Sequence, residues 1–350
     1  MSLDRIAKLQ SDLTNDQALY VTNLINVRYL CGFSGSNGAL LITADSATLA
    51  TDSRYEIQSA KQVQAANVLI GRNLAQLLLG SANPSHVSFE GENLTVNQLE
   101  QLHQSFPEIS FTPTTNLISQ MRITKDANEI SHIKAACEIS TQALADVLET
   151  IAIGQTEKQV RDALDSRMRA LGADDIAFTT IVASGPNSAI PHHEPSDRKL
   201  CQGDFLKIDF GAKVAEYHAD CTRTFVLGKA ADWQLDLHKA VVSAQSAGRS
   251  ALRADALFTS VETAVAESLA ASGYLEFFTH GLGHGVGLEI HEEPYFSRAQ
   301  ESKIGANTVI TVEPGAYLPE RGGVRIEDTV VVTEIGYENL TNFSYELIEI

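Results

Sequence analysis

The pattern of apolar residues changes near residue 120, and this change limits the folds that the chain can adopt. Before it, short strand-like runs alternate with helical patterns such as that of residues 54–64, which predicts an α/β domain. The predicted strands are residues 40–42, 47–50, 68–70 and 87–89. Residues 111–116 are rich in turn formers, so we place the boundary between this stretch and Met121. We therefore expect two domains, residues 1–120 and 121–350.

After the boundary, a plan of two helices followed by strands occurs twice. In the first half, Asp126 opens a long amphipathic pattern, and the capping box at Thr156 opens a second helix. The second half has helical patterns at residues 233–252 and 258–271. The predicted strands of the two halves are residues 180–183, 205–210, 221–227, 308–313 and 324–333. This order predicts an α+β domain in which helices cover a curved antiparallel sheet.

Acidic residues in these strands predict a metal site. Asp209 lies inside an apolar strand, and Asp220 follows 11 residues later, so a hairpin turning at residues 211–213 would bring the two together. Glu313 ends the next strand, before a Pro-Gly pair. Glu327 lies in the last strand, two residues after Arg325 and hence on the same face. Because charged side chains are almost never fully buried unless they are paired or bind metal, four such acids indicate metal ligands.

A histidine adds a nitrogen ligand to this set. Residues 280–287 have glycine at every second position, which excludes a helix and indicates close approach by another backbone or a ligand. His284 lies between two of these glycines. Four carboxylates and one imidazole are too rich in oxygen for a structural zinc site and suit two divalent ions. Their hardness favours Mn(II), with Co(II), Fe(II) or Zn(II) as alternatives.

Composition excludes several classes of protein. The formal net charge of −18 disfavours nucleic acid and anionic membranes as partners. No apolar run approaches the roughly 18 residues of a membrane span. The four cysteines show no C-x-x-C spacing, which predicts buried free thiols and a location in the cytoplasm.

These residues resemble the pita-bread metallopeptidases, which include methionine aminopeptidase, aminopeptidase P and prolidase. The resemblance spans about residues 121–340 and rests on five stretches of sequence. They are Asp209, Asp220-Cys-Thr-Arg-Thr, His280-Gly-Leu-Gly-His-Gly-Val-Gly-Leu, Thr311-Val-Glu-Pro-Gly and Arg325-Ile-Glu-Asp. Residues 27–37 and 51–55 resemble the creatinase-type N-terminal domain, which aminopeptidase P and prolidase carry and methionine aminopeptidase lacks. The resemblance therefore implies a smaller creatinase-like domain before the pita-bread domain, and cleavage of Xaa-Pro bonds.

The resemblance also implies roles for individual residues. Asp220 and Glu327 would bridge two metals. Asp209 would complete the coordination of one ion, and His284 and Glu313 would complete that of the other. Glu313 is also the expected proton shuttle.

Four further residues would act on the substrate. His192 follows a Ser-Ala-x-Pro pattern and would stabilise the reaction intermediate. His291 would be the second active-site histidine, and His280 would bind substrate. Arg325 would either anchor substrate or orient a metal-site carboxylate. His193 would point elsewhere, and His218 matches no motif position.

Three functions stay open at this point. The favoured one is a prolidase, which cleaves Xaa-Pro dipeptides. The second is an aminopeptidase P, which releases the first residue of longer peptides with proline at the second position. The third, a non-catalytic binding module, is disfavoured because all five ligand positions are present. The resemblance also implies a homodimer.

Overall fold

The computed structural model describes residues 2–296 and 301–350, with side chains from residue 4, and the chain divides into two compact units. The first unit comprises residues 1–121 and the second residues 122–350. Within the described ranges, no helix combines the length and apolar character needed to cross a membrane.

The first unit is an α/β unit built on a six-stranded mixed sheet. Its elements are α1 (Ser2–Gln10), β1 (Gln17–Val21), α2 (Leu24–Cys31), β2 (Gly38–Thr43), β3 (Ala47–Thr51), α3 (Glu56–Gln62), β4 (Asn67–Ile70), α4 (Leu74–Ala82), β5 (His86–Glu90), α5 (Val96–Ser105) and β6 (Ser110–Thr114). Helix α6 (Leu117–Ile123) begins in this unit and ends two residues beyond its last residue. The strand order is β4-β3-β2-β1-β5-β6, with β1 antiparallel to β2 and parallel to β5. Leu78 and Leu79 of α4 pack with Leu41 and Val87 in its apolar core.

The second unit contains two helix pairs, each followed by antiparallel strands. Its first half has α7 (Ala127–Leu148), α8 (Glu157–Ala170), β7 (Asp175–Ile176), β8 (Ile181–Ser184), β9 (Phe205–Phe210), β10 (Ala212–Val214), β11 (Tyr217–His218) and β12 (Cys221–Val226). Its second half has α9 (Asp232–Ala251), α10 (Phe258–Ala271), β13 (His284–Gly285), β14 (Glu292–Tyr295), β15 (Val309–Val312), β16 (Gly315–Leu318), β17 (Gly322–Arg325), β18 (Asp328–Val332) and β19 (Tyr337–Asn339). The predicted α+β class is confirmed.

Each helix pair packs on the strands of its own half. In the first half, Leu144 of α7 and Leu164 of α8 share a core with Ile208 of β9. In the second half, Val265 of α10 packs with Val330 of β18. The strand orders are β12-β9-β8 and β11-β10-β7 in the first half, and β14-β13-β15-β18-β19 and β16-β17 in the second. The apolar helix faces therefore cover one side of the sheets and leave their polar residues for the other side.

Three local predictions are wrong. The chain between Asp209 and Asp220 does not turn at residues 211–213, because β10 and β11 form a further hairpin there whose turn residues, Ala215 and Glu216, have φ of 50° and 68°. Residues 324–333 are not one strand, since Glu327 separates β17 from β18 and donates its backbone N–H to the Thr222 carbonyl of β12 at 3.0 Å. All four cysteines are free, as expected, but Cys201 is exposed, while Cys31, Cys137 and Cys221 are buried.

Candidate active site

One cavity of about 440 Å³ in the second unit is lined by every residue that the sequence marks for chemistry. They are His192, Asp209, Asp220, His280, His284, His291, Glu313, Arg325 and Glu327. Two histidines to which the sequence analysis gave no role in the site do not line this cavity. His193 contacts Glu157, and the His218 ring contacts the Gly287 carbonyl at 3.0 Å.

The five candidate metal ligands come from strands or strand ends of both halves. Asp209 lies in β9 opposite Thr222 of β12, and Asp220 directly precedes β12. The three ligands of the second half are His284 at the start of β13, Glu313 just after β15, and Glu327 between β17 and β18. Glu327 is held in place because the Thr222 hydroxyl donates to its Oε2 at 2.6 Å.

The distances bring these donor atoms into the range of shared metal ions. One ligand atom each from Asp220, His284 and Glu327 lies within 4.8 Å of the other two. The His284 Nε2 is 3.6 Å from Asp220 Oδ2 and 3.5 Å from Glu313 Oε1. Asp209 gives one oxygen to an ion pair with Arg325, and its buried Oδ1 has no hydrogen-bond partner among the described residues.

The surroundings of His284 determine which ring nitrogen is available. Its Nδ1 lies 3.0 Å from the Gly285 carbonyl, which can only accept a hydrogen bond, so Nδ1 carries the hydrogen. Burial lowers the pKa of His284 to about 4, so the ring is neutral at pH 7. Nε2 therefore presents a lone pair toward the carboxylates, which is the form in which histidine binds a metal.

The charges of the cavity favour a bound cation. Burial, and then repulsion from Glu327 and the other carboxylates, raises the pKa of Asp220 well above its ordinary value. Burial and the charge of Glu313 do the same to the pKa of Glu327. The pKa of Glu313 rises to about 8, mainly because it is buried. Divalent metal ions fit this set of crowded carboxylates and neutral imidazole, in which the buried Asp209 Oδ1 has no partner within residues 2–296 and 301–350.

A hydrogen-bonded row next to the ligands includes Tyr317, which the sequence analysis missed. Arg325 ion-pairs with Asp209, and its Nη1 donates to the Tyr317 hydroxyl at 3.0 Å. The His280 Nδ1 lies 2.8 Å from the Gly281 carbonyl, so its Nε2 accepts from Tyr317 at 2.9 Å. Arg325 thus orients a metal-site carboxylate and, through Tyr317, the His280 ring. The sequence carried no signal for Tyr317, whose pairing with Gly323 across β16 and β17 is visible only in the structure.

Two further histidines complete the cavity wall. The His291 ring lies edge-on to His284, with ring centroids 4.4 Å apart. Burial, and then the nearby His192, lowers the pKa of His291. Both His192 and His291 are solvent-exposed and line the cavity, so each can reach a bound ligand.

The helix-covered antiparallel sheets and the buried acidic cavity, into which His284 presents a lone pair beside the carboxylates, define a metal-dependent hydrolase of the pita-bread class. Residues 131–334 match the model of metallopeptidase family M24, and residues 5–124 match the creatinase/prolidase N-terminal domain. The chain belongs to metallopeptidase family M24, and the predicted family is confirmed.

Relatives of known structure or name match the full length of the chain. It is 34% identical to a protein named Xaa-Pro dipeptidase of Pyrococcus furiosus, over 99% of both chains. The structure of a Xaa-Pro dipeptidase from Bacillus anthracis superposes with a TM-score of 0.96 at 32% identity, covering 100% of both chains. That of an X-Pro aminopeptidase from Thermotoga maritima superposes with a TM-score of 0.93 at 34% identity, covering 99% of this chain and 100% of the other.

Proposed function

We propose that this chain hydrolyses Xaa-Pro dipeptides with two divalent metal ions. The observation that carries the proposal is the convergence of four carboxylates and one neutral imidazole on one cavity. The name of the Pyrococcus furiosus relative, at 34% identity over 99% of both chains, supports the choice of substrate.

Two ions would be held by Asp209, Asp220, His284, Glu313 and Glu327, which line the same cavity. Four carboxylate charges balance two divalent cations. When bound, the ions supply Lewis-acid activation of the scissile carbonyl and of water. The oxygen-rich set favours Mn(II), with Co(II), Fe(II) or Zn(II) as alternatives.

The remaining chemistry belongs to side chains of the cavity. Glu313 takes the proton of the attacking water and gives it to the leaving proline nitrogen. Thr311 holds this carboxylate by donating to Glu313 Oε1 at 3.3 Å. His192 donates a hydrogen bond to the oxygen that becomes negatively charged, and His291 donates to the same end of the substrate. His280 and Arg325 bind the substrate's polar groups.

Proline suits the shape and polarity of the cavity. The Xaa-Pro bond is a tertiary amide without an N–H, so its recognition depends on the ring rather than on a backbone hydrogen bond. Phe178, Ile290 and Phe296 line the same cavity as the acids. This apolar wall is suited to a pyrrolidine ring placed beside a polar reaction centre.

A second candidate is an aminopeptidase that removes the first residue of longer Xaa-Pro peptides. It is favoured by the similarity to the Thermotoga maritima X-Pro aminopeptidase. The two activities differ only in whether the cavity accepts chain beyond proline.

Hydrolysis of Ala-Pro and Ala-Pro-Ala, measured after EDTA treatment and again with Mn(II) restored, tests both candidates. Cleavage of the dipeptide alone, restored by Mn(II), is the expected result. Cleavage of the tripeptide would instead establish an aminopeptidase. No cleavage of either peptide, with metal shown to be bound, would overturn the Xaa-Pro assignment and favour a binding module.

We also propose residues 1–120 as a creatinase-like domain and residues 121–350 as the catalytic domain, supported by the two compact units and the two family matches. A homodimer and a cytoplasmic location complete the proposal. Sedimentation equilibrium and cell fractionation test these two properties.

A further inference from the structure

One buried carboxylate holds the segment that carries His192. Glu157 is the first residue of α8, and its side chain is fully buried. Its Oε1 accepts from Ser184 N at 2.7 Å, Ser184 Oγ at 2.8 Å and Asn187 Nδ2 at 3.0 Å. Its Oε2 lies 2.8 Å from His193 Nε2 and accepts from Ser196 N at 2.9 Å and Ser196 Oγ at 2.7 Å. Six polar groups therefore converge on one carboxylate.

All six groups belong to residues 184–196, the connection that leaves β8 and returns toward β9. The Glu157 contacts occur on both sides of His192 in the sequence. His193 points to Glu157, while His192 lines the cavity. Anchoring His193 therefore fixes the direction in which its neighbour projects.

Two buried cations hold the same segment at its centre. Lys207 Nζ donates to the carbonyls of Ile190 at 2.7 Å and Pro191 at 3.2 Å. Arg325 Nη1 donates to the Pro191 carbonyl at 3.1 Å. These bonds fix the peptide before His192, and the Glu157 bonds fix the chain around it.

We propose that Glu157 is a positioning residue that keeps His192 facing the scissile carbonyl, an inference that rests on the proposed function. Only a carboxylate suits this position, because all six neighbours donate and an ionised carboxylate only accepts. Glu157 also lies in the first turn of α8, where the positive end of the helix dipole stabilises its negative charge. A glutamine would turn its NH₂ group toward three of the donors, and the segment would have to shift.

A double-mutant cycle with Glu157→Gln and His192→Ala tests the inference. We expect E157Q to lower kcat for Ala-Pro by about 10- to 100-fold with KM little changed, because the substrate-binding residues His280 and Arg325 stay linked to each other through Tyr317. We expect H192A to lower kcat by about 100-fold or more. If Glu157 acts through His192, adding E157Q to H192A lowers kcat by less than about threefold.

Glu129→Gln is the matched control. Glu129 is also a buried glutamate in the first turn of a helix of the same half, and it accepts from Tyr217 Oη at 2.9 Å and Asp126 N at 2.9 Å. We expect E129Q to lower stability without this dependence on His192. Hydrogen exchange of residues 184–196 supplies a readout besides activity, with faster exchange expected in E157Q and wild-type exchange in E129Q.

The outcomes separate this inference from the proposed function. A wild-type protein that cleaves no Xaa-Pro peptide refutes the function. If the wild type is active, H192A is impaired and E157Q lowers kcat by the same factor in the wild-type and the H192A background, that result would overturn the positioning role. Should E157Q fail to fold, Ser196→Ala removes one of the six donors, and a loss of kcat of about threefold that disappears in H192A is then expected.

Discussion

Gly283 lies where a single added methyl group is expected to separate two metal ligands. A Cβ at this position would lie 2.3 Å from the Thr311 carbonyl oxygen and 2.7 Å from Thr311 Oγ1. Reaching the 3.0 Å that real Cβ contacts require means a displacement of at least 3.0 − 2.3 = 0.7 Å. Thr311 Oγ1 accepts from His284 N at 3.1 Å and donates to Glu313 at 3.3 Å, so both ligands depend on its position.

The displacement exceeds what a metal site tolerates. Coordination distances hold to within about 0.2 Å, so a shift of 0.7 Å between β13 and β15 disturbs the geometry of His284 against Glu313. We expect Gly283→Ala to weaken Mn(II) binding by about 10- to 100-fold. Overpacking should also lower the free energy of unfolding of the metal-free protein by about 1–3 kcal/mol.

Calorimetric titration with Mn(II) measures the first effect, and denaturant unfolding of the metal-free protein measures the second. Gly281→Ala is the control on the same run of glycines, because among the described residues its Cβ would meet only the Phe296 carbonyl, at an ordinary 3.7 Å. G281A is expected to bind Mn(II) as the wild type does. Equal affinities of G283A and G281A would refute the reasoning from close packing.

Three further predictions concern the same cavity. Glu313→Gln should lower kcat by about 100-fold or more with metal still bound, and turnover near that of the wild type would exclude the shuttle. Arg325→Lys keeps the charge but loses the planar set of bonds, so kcat/KM for Ala-Pro should fall by about 100-fold, whereas an unchanged value would contradict its orienting role. Because the pKa values of Asp220, Glu327 and Glu313 are raised in the metal-free protein, metal binding should release protons at pH 7 and tighten between pH 6 and 8. Titrations in buffers of different ionisation enthalpy check this, and a pH-independent affinity would count against it.

Much of the fold follows from local patterns. The capping box at Thr156 begins α8 as predicted, and the apolar run of residues 205–210 forms β9 with the predicted bounds. These features depend on neighbours within a few residues, so the sequence reveals them. The break at Glu327 was not predictable in this way, because its cause is a hydrogen bond to Thr222, about a hundred positions away.

The chemistry of the cavity was likewise predictable by residue type but not by geometry. Alternating glycines around His284 and acids in apolar strands marked the candidate ligands. Tyr317 carried no such mark, because a tyrosine in a strand is ordinary. Its role depends on lying between Arg325 and His280, and only the packing of β16 beside β17 provides that arrangement.

The sequence by itself determined most of the helices and strands, the α+β class and the set of charged residues that must be paired or bind metal, since each is a property of local pattern or burial cost. The tertiary structure decided which nitrogen of His284 is available, which oxygen of Asp209 lacks a hydrogen-bond partner in the described part of the chain, and how His192 is held. Each of these depends on distances between atoms of separate strands and loops, and such distances are fixed only when the chain packs.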